Sequence, residues 1–446
     1  MYYKKSKFLV AGLQKSGLSV TKLLLEKGAD VYIYDKRKSE QILKNIETLE
    51  FLGAKHVVDY KSAVEYIDVL VISPGVPIDS PICKTFKEAK KRIIGELELG
   101  YLQITTPIIA VTGTNGKTTV STLLHKTLID SGVKSVLAGN VGTPFTSVVD
   151  DINQSDIAVL EVSSYQLETT YSFSPHVSIV LNITPDHLER HYSMENYSLV
   201  KSKIVLPLKE SEYAVLNYDD DIVKRFSDIT KAKTIWYSTK EKVDGAYLLD
   251  GSVFFYEEKI LDLSNLKLIG EHNVENVLAT VCALKAIGVE NDKIEKSLTE
   301  FKGVKHRLDS VRTVNEVEFI NDSKSTNPAS SIKAIDSIEK NAVLILGGSD
   351  KGLDYTELFE KIKNSSKIKH TVITGESANS MLNYATKVNL DGVVLIKGFE
   401  NAVKTAYALC DKGEIVLLSP GTASFDEFLD FEKRGEKFAE IANSIE

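Results

Sequence analysis

Ile108 to Thr119 reads IIAVTGTNGKTT, and the architecture of the chain can be worked out from it. An apolar, β-branched run enters Gly113-Thr114-Asn115-Gly116-Lys117-Thr118-Thr119, and VSTLLHKTLIDSG follows with helical spacing. A buried strand, a glycine turn and a helix cradle phosphate. Glycines let backbone N–H groups turn inward, and the helix N-terminus adds partial positive charge. Lys117 can reach β/γ-phosphates, and the Thr118 hydroxyl can ligate Mg²⁺. The strict pattern wants glycine at position 111, where Val111 stands, so this is a TGxxGKT variant with Gly113 first. An accidental glycine-rich turn is the bland alternative. GKTT between a strand and a helix outweighs it.

The same rhythm extends in both directions. KFLVAG, DVYIYD, VLVISPG, IAVLEVSS and VSIVLNIT read as buried strands, as do AVLILGG, HTVITG and EIVLLSPG. Continuous apolarity predicts parallel strands covered on both faces, hence an α/β fold with several sheets. Three blocks are expected. Residues 1–104 form a Rossmann-like N-terminal domain, and residues 105–303 a central P-loop domain with a mostly parallel sheet. Residues 304–446 form a Rossmann-like C-terminal domain, restarting at VEFIND and ending in one charged helix, DEFLDFEKRGEKFAEIANSIE. The segment 233–268 (KTIWYS, GAYLL, SVFFYEE) predicts a small antiparallel appendage.

A length of 446 residues fits two to four domains, and 43% hydrophobic with 26% charged residues is a globular balance. Lys+Arg of 54 against Asp+Glu of 62 leaves −8, which argues against a nucleic-acid or anionic-membrane binder. Cys83, Cys282 and Cys410 lie too far apart for a disulfide framework or a metal knuckle. The opening MYYKKSKFLVAGL is too short in its apolar run for a signal peptide or membrane span, so a soluble cytoplasmic protein is expected.

Polar residues gather where strands end. Gly12-Leu13-Gln14-Lys15-Ser16-Gly17 is like a dinucleotide turn, with Gln14 in place of the second glycine. Asp35 stands where a ribose-binding acid would, beside Lys36 and Arg37, and Ser73-Pro74-Gly75 ends a neighbouring strand. A nucleotide-diphosphate site and a purely structural turn both fit these residues. Glu161 is placed like the acid that holds Mg²⁺ opposite a phosphate loop, or as a cap of the next turn. Asp186-His187 favours a cation ligand at another strand end. Lys201, by itself, reads as a surface residue. In the third block, Lys324 and the helix start at Thr326 could clamp an acidic substrate. Arg307 could reach a phosphate as an arginine finger does. The loops 347–352 and 419–424 end later strands of the same sheet.

TGTNGKTT, EVSSYQLE, NITPDHLERH, EHNVENVLA, KHRLD, NDSKSTNP, GGSDKG and SPGTASFDEF occur in this order over nearly the whole chain. The chain resembles the Mur ligase family, ATP-dependent amide-forming enzymes of peptidoglycan precursor synthesis. SSYQL, NDSKSTN and SPGTASFDEF point within it to the branch that adds D-glutamate to UDP-N-acetylmuramoyl-L-alanine. They speak against a relative that extends folate, and a nucleotide-dependent switch without chemistry would explain only the phosphate loop.

The resemblance implies an acyl-phosphate route with ATP as substrate, two Mg²⁺ ions and a CO₂-derived carbamate on Lys201. It implies catalytic roles for Lys117, His187, Lys201 and Lys324. Gly113 through Thr119 would bind ATP with Asn273, Asn276, Arg307 and Asp322. Thr118, Glu161, His187 and carbamylated Lys201 would hold metal. Gly17, Asp35, Lys36, Arg37, Ser73 and Gly75 would contact the UDP moiety, with Asn140 and His187 nearer the muramoyl end. Lys324, Thr326, Lys351, Ser424, Phe425 and Phe431 would surround D-glutamate. A monomer acting on small molecules is implied. Val200 stands where alanine is usual before the carbamylated lysine, and Lys203 lies close by.

Overall fold

The computed structural model describes residues 3–140, 142–268, 272–301, 303–350 and 352–445. Its chain divides into two compact units, Met1–Leu266 with Val274–Glu300, and Lys267–Asn273 with Phe301–Glu446. Among the described residues there are three sheets. The first unit carries two of them and the second carries one.

The first sheet contains β1 (Lys7–Ala11), β2 (Asp30–Tyr34), β3 (Lys55–His56), β4 (Val69–Ile72) and β5 (Arg92–Gly95). Its order is β3-β2-β1-β4-β5, parallel throughout. This is a doubly wound sheet whose order reverses beside β1, so the Gly12 turn sits at the switch point where ligands bind.

The second sheet contains β6 (Ile108–Thr112), β7 (Ser135–Gly139), β8 (Ile157–Glu161), β9 (Val177–Val180), β10 (Tyr213–Asn217), β11 (Lys233–Ser238), β12 (Gly245–Leu249), β13 (Ser252–Phe255) and β14 (Glu258–Asp262). Their order is β14-β13-β12-β11-β10-β9-β6-β8-β7. Every residue of β6 is buried, as a strand covered on both faces must be. The appendage expectation is corrected here. β11 pairs in parallel with both β10 and β12, and only the pairs β12–β13 and β13–β14 are antiparallel. The segment extends the central sheet and closes it with hairpins. Asp250 and Gly251, at φ +49° and +74°, form the tight turn that joins β12 to β13.

The third sheet contains β15 (Asp309–Val314), β16 (Val317–Asn321), β17 (Ala342–Gly347), β18 (Ile368–Thr374), β19 (Val393–Leu395) and β20 (Ile415–Leu418), in the order β15-β16-β20-β17-β18-β19. The strand β15 was not anticipated. It is antiparallel to β16 across Asn315-Glu316, both left-handed at φ +49° and +70°. Lacking the glycine that usually marks such a turn, the hairpin left little sequence signal. The last helix is shorter than expected, Phe431–Ser444, because the Asp430 carboxylate caps it by accepting from the Lys433 N–H at 2.9 Å.

Candidate active site

The helix Lys117–Asp130 starts at Gly116, whose φ of +86° is left-handed. A Cβ there would lie 2.3 Å from Asn276 Oδ1, so both conformation and space exclude a side chain. The loop is sewn to the end of β9. Thr114 N–H donates to Asn182 O at 2.8 Å and Asn115 N–H to Asn182 Oδ1 at 2.9 Å. Lys117 Nζ curls back to Gly113 O (2.9 Å) and Thr114 O (2.8 Å). Across the sheet edge, Thr118 Oγ1 donates to Glu161 Oε2 at 2.7 Å, and Asn140 Nδ2 donates to Glu161 Oε1 at 3.1 Å. Glu161 is only 3% exposed. Thr118 and Asn140, far apart in sequence, thus meet on the carboxylate of Glu161, and Thr119 is buried.

Lys201 is not a surface residue. It lies on the helix Met194–Ser202, 1% exposed, and its Nζ donates to Gly113 O at 2.8 Å. Thr112 Oγ1 is 3.4 Å away, and the amine lies 4.8 Å from the Tyr197 ring centre. Burial, and then the charge of Lys117, push its pKa well below the usual lysine range, against the pull of Asp186 and Glu161. Lys203 donates instead to Glu168 O at 2.7 Å. Of the two neighbouring lysines, Lys201 is therefore the one at the phosphate loop.

His187 is exposed, at φ +54°, with its ring nitrogens 3.6 and 3.7 Å from Asp186 and Glu189. A row of rings joins it to Lys201 through Tyr165, His191 and Tyr197. Among the described residues, no three His, Cys, Asp or Glu side chains form a metal-holding group.

In the first sheet, Gly17 has no room for a side chain, since a Cβ would fall 1.8 Å from Gly12 O. Ser73 Oγ donates to that same Gly12 O at 2.7 Å. Asp35 does not offer a free ribose-binding carboxylate. Its Oδ1 accepts from Arg37 N and Nε, both at 3.0 Å, and its Oδ2 from Leu13 N and Arg37 Nη2, both at 2.8 Å. All four lone-pair positions are filled, so Asp35 shapes the turn and occupies Arg37 as it does so. Burial would raise Asp35, but these hydrogen bonds outweigh it and hold the group below the usual aspartate value. Lys36 and Gly75 remain exposed.

The second unit gathers its loops at the carboxyl ends of β16, β17 and β20. Asp322 is fully enclosed. Its Oδ2 accepts from Ser325 Oγ (2.5 Å) and Ser419 Oγ (2.8 Å), and its Oδ1 from Leu308 N (3.3 Å). Burial pushes Asp322 up to about 6, against the opposing pull of the two serines and Arg307. Gly421 N–H donates to Ser325 O (3.0 Å), and Ser349 N–H to Ala423 O (2.8 Å). Lys324 Nζ stands 5.6 Å from the Phe431 ring centre. Ser424 is buried, Thr326 is half-buried, and Phe425 is 67% exposed. The helix that Thr326 was expected to start is capped one residue later by Asn327, which accepts from Ser330 N–H at 2.8 Å. Asn273 and Arg307 are both half-buried, and Lys351 lies outside the described residues.

Three family models match the chain. Residues 6–95 match the MurD-like N-terminal domain of Mur ligases, 111–284 the Mur ligase middle domain, and 306–421 the Mur ligase glutamate ligase domain. A Thermoanaerobacter sp. (strain X514) protein named UDP-N-acetylmuramoylalanine--D-glutamate ligase is 41% identical over 451 residues, covering 98% of each chain. The protein of the same name from Clostridioides difficile (strain 630) is 38% identical and covers all of both chains. The chain belongs to the Mur ligase family. Among solved structures, the UDP-N-acetylmuramate-alanine ligase MurC of Thermotoga maritima aligns with a TM-score of 0.60 at 18% identity, over 98% of this chain and 99% of that one. A pseudomurein peptide ligase type C from Methanothermus fervidus aligns at 0.58 and 20%, over 99% and 100%. These two likenesses concern the fold.

Two arginines of this Mur ligase escaped the sequence reading. Arg190 is bidentate to Glu168 at 3.0 and 2.5 Å, and its Nη2 also donates to Val76 O at 3.1 Å, beside the Ser73-Gly75 loop. Arg434, 1% exposed, sits near the start of the last helix and bonds to three loops. Its spacing from Phe431 and Phe438 places it on the apolar helix face, and that was the available signal.

Asp322 yields a pH prediction. The folded group keeps its proton up to about 6, whereas an unfolded aspartate loses it near 3.8. Its stabilising contribution is therefore whole below the lower value and is lost as pH rises through the upper one. About two pH units at about 1.4 kcal/mol each make this nearly 3 kcal/mol. Urea unfolding of wild type and Asp322→Asn should show their difference moving against wild type by about that amount between about pH 4 and about pH 7. A pH-independent difference would remove the enclosed carboxyl from the account.

Proposed function

We propose that this chain joins D-glutamate to UDP-N-acetylmuramoyl-L-alanine, converting ATP to ADP and phosphate, in peptidoglycan precursor synthesis. What carries the reading is identity of about two residues in five, over the full length, to relatives named for that ligation. A carboxylate is a poor electrophile. Its oxygen takes the γ-phosphoryl group, and ADP leaves. The amine of D-glutamate then attacks the acyl carbon, loses its proton, and phosphate departs with the C–O bond electrons.

The chain's own residues position and neutralise. The N–H groups of the loop Gly113–Thr119 hold phosphate oxygens, and Lys117 leaves a loop carbonyl to pair with the β/γ charge. Thr118 and Glu161, a hydroxyl and a carboxylate already 2.7 Å apart, suit a hard cation that takes its other ligands from phosphate and water. Bound Mg²⁺ would neutralise charge developing on the transferred phosphoryl group. His187 would serve a second ion. Lys201 has the buried, easily deprotonated amine that reaction with CO₂ needs, and as a carbamate it would offer oxygens to metal. Asn140, beside Glu161, would touch the muramoyl group. The first-sheet turn, with Gly17, Lys36, Ser73 and Gly75, would take the UDP moiety.

In the second unit Lys324, Thr326, Lys351, Ser424, Phe425 and Phe431 would hold D-glutamate, and Asn273, Arg307 and Asp322 are proposed ATP residues. Asn276 is a proposed ATP residue of the first unit, beside Gly116. We also propose domain boundaries at 104/105 and 303/304 and action as a cytoplasmic monomer. No helix among the described residues is long and apolar enough to cross a membrane.

Purified protein should release phosphate from ATP only when both UDP-N-acetylmuramoyl-L-alanine and D-glutamate are present. Release independent of both, or release requiring meso-diaminopimelate or a folate in place of D-glutamate, refutes the proposal.

A further inference from the structure

Arg434 is buried on the helix Phe431–Ser444 with all its N–H donors directed at the loops that end β16, β17 and β20. Nε donates to Ser323 Oγ at 3.0 Å. Nη1 reaches Gly347 O at 3.3 Å and Ala423 O at 3.2 Å, and Nη2 reaches Ser323 O at 3.0 Å and Thr422 O at 3.1 Å. Ser323 also donates to Phe431 O at 2.8 Å, closing the ring back onto the helix. Burial lowers Arg434 to about 10, so it stays charged at neutral pH, with Asp426 and Asp322 opposing the shift from a distance. Among the described residues no carboxylate forms an ion pair with it at contact distance.

A buried cation satisfied only by carbonyls and one hydroxyl is costly if its sole purpose is to fill space. Two consequences follow from its place. Four strand-end carbonyls would otherwise present partial negative charge around the very loops that carry Lys324, Thr326 and Ser424. Arg434 donates to all four and sets a positive charge against them. It also ties the three loops to one rigid point, and such a tie sets the spacing between groups that must hold two carboxylates at once.

We infer that Arg434 is a positioning residue for the acidic amino-acid substrate, tying three strand-end loops together and supplying the positive field beneath them. This rests on the assignment of those loops to D-glutamate.

The test is steady-state kinetics of the full-length enzyme with each substrate varied in turn. Arg434→Gln keeps part of the hydrogen bonding and loses the charge. It should raise KM for D-glutamate by about tenfold or more, with KM for ATP and the UDP-linked substrate within about twofold. Arg434→Lys should fall between it and wild type. Ethylguanidinium added to Arg434→Ala should lower the D-glutamate KM again, which a general loss of stability would not produce. Equal rises in all three KM values, or no rise, in a variant that melts as a folded protein overturns the inference. If the Arg434 variants do not fold, Ser323→Ala removes one acceptor and keeps the cation. It should raise the D-glutamate KM alone, and an unchanged value overturns the inference. Wild-type phosphate release that D-glutamate does not stimulate overturns the loop assignment first, and the inference with it.

Discussion

Lys117→Ala is expected to lower phosphate release by about two to three orders of magnitude without unfolding the protein. The amine rests 2.8 and 2.9 Å from two carbonyls of its own loop, at the N-terminus of the buried-face helix. It needs only a side-chain rotation to exchange them for phosphate oxygens. Alanine is a good helix former, so the helix loses little by the substitution. The loop itself is held by backbone bonds to Asn182 and by the packing of Gly116 on Asn276, neither of which uses the lysine. The loss should therefore appear in kcat, with a melting point close to wild type. Near-normal turnover would mean that phosphate binds elsewhere.

Lys201→Ala carries the second large effect. The amine is enclosed between Tyr197 and the phosphate loop, where a permanent charge is costly. Burial, and then the charge of Lys117, lower its pKa well below the usual lysine range, which raises the share of the neutral amine that reaction with CO₂ needs. The variant should lose nearly all turnover, and a short carboxylic acid such as formate or acetate should restore part of it by lending oxygens where the carbamate would stand. Lys203→Ala should not show this rescue, because Lys203 is spent on the Glu168 carbonyl. Wild-type rates in Lys201→Ala would exclude the group from the reaction. Loss without any rescue would leave the lysine as a packing element and remove the carbamate.

The features legible in the sequence are those fixed within a few residues. Gly113 and Gly116, the strand before them and the helix after them follow from backbone sterics and from the apolar run 108–112. The same locality explains why the hairpin at Asn315-Glu316 was missed and the one at Asp250-Gly251 only partly read. The first lacks the glycine that announces a left-handed turn. The second has it, but strand direction for Lys233–Ser238 depends on a partner some twenty residues earlier in the chain.

The hydrogen-bond partners of Lys201, Asp35 and Arg434 were decided by tertiary structure. A lysine on a mixed helix looks solvated until Tyr197 and Gly113 close around it. An acid after a strand looks available until Leu13 and Arg37 fill its lone pairs. An arginine in a charged helix looks exposed until three loops from distant parts of the chain converge on it. Local sequence sets which backbone shapes are affordable. Burial and hydrogen-bond valence are properties of neighbours far apart along the chain, so only the folded molecule sets the charge state and partners of these three side chains.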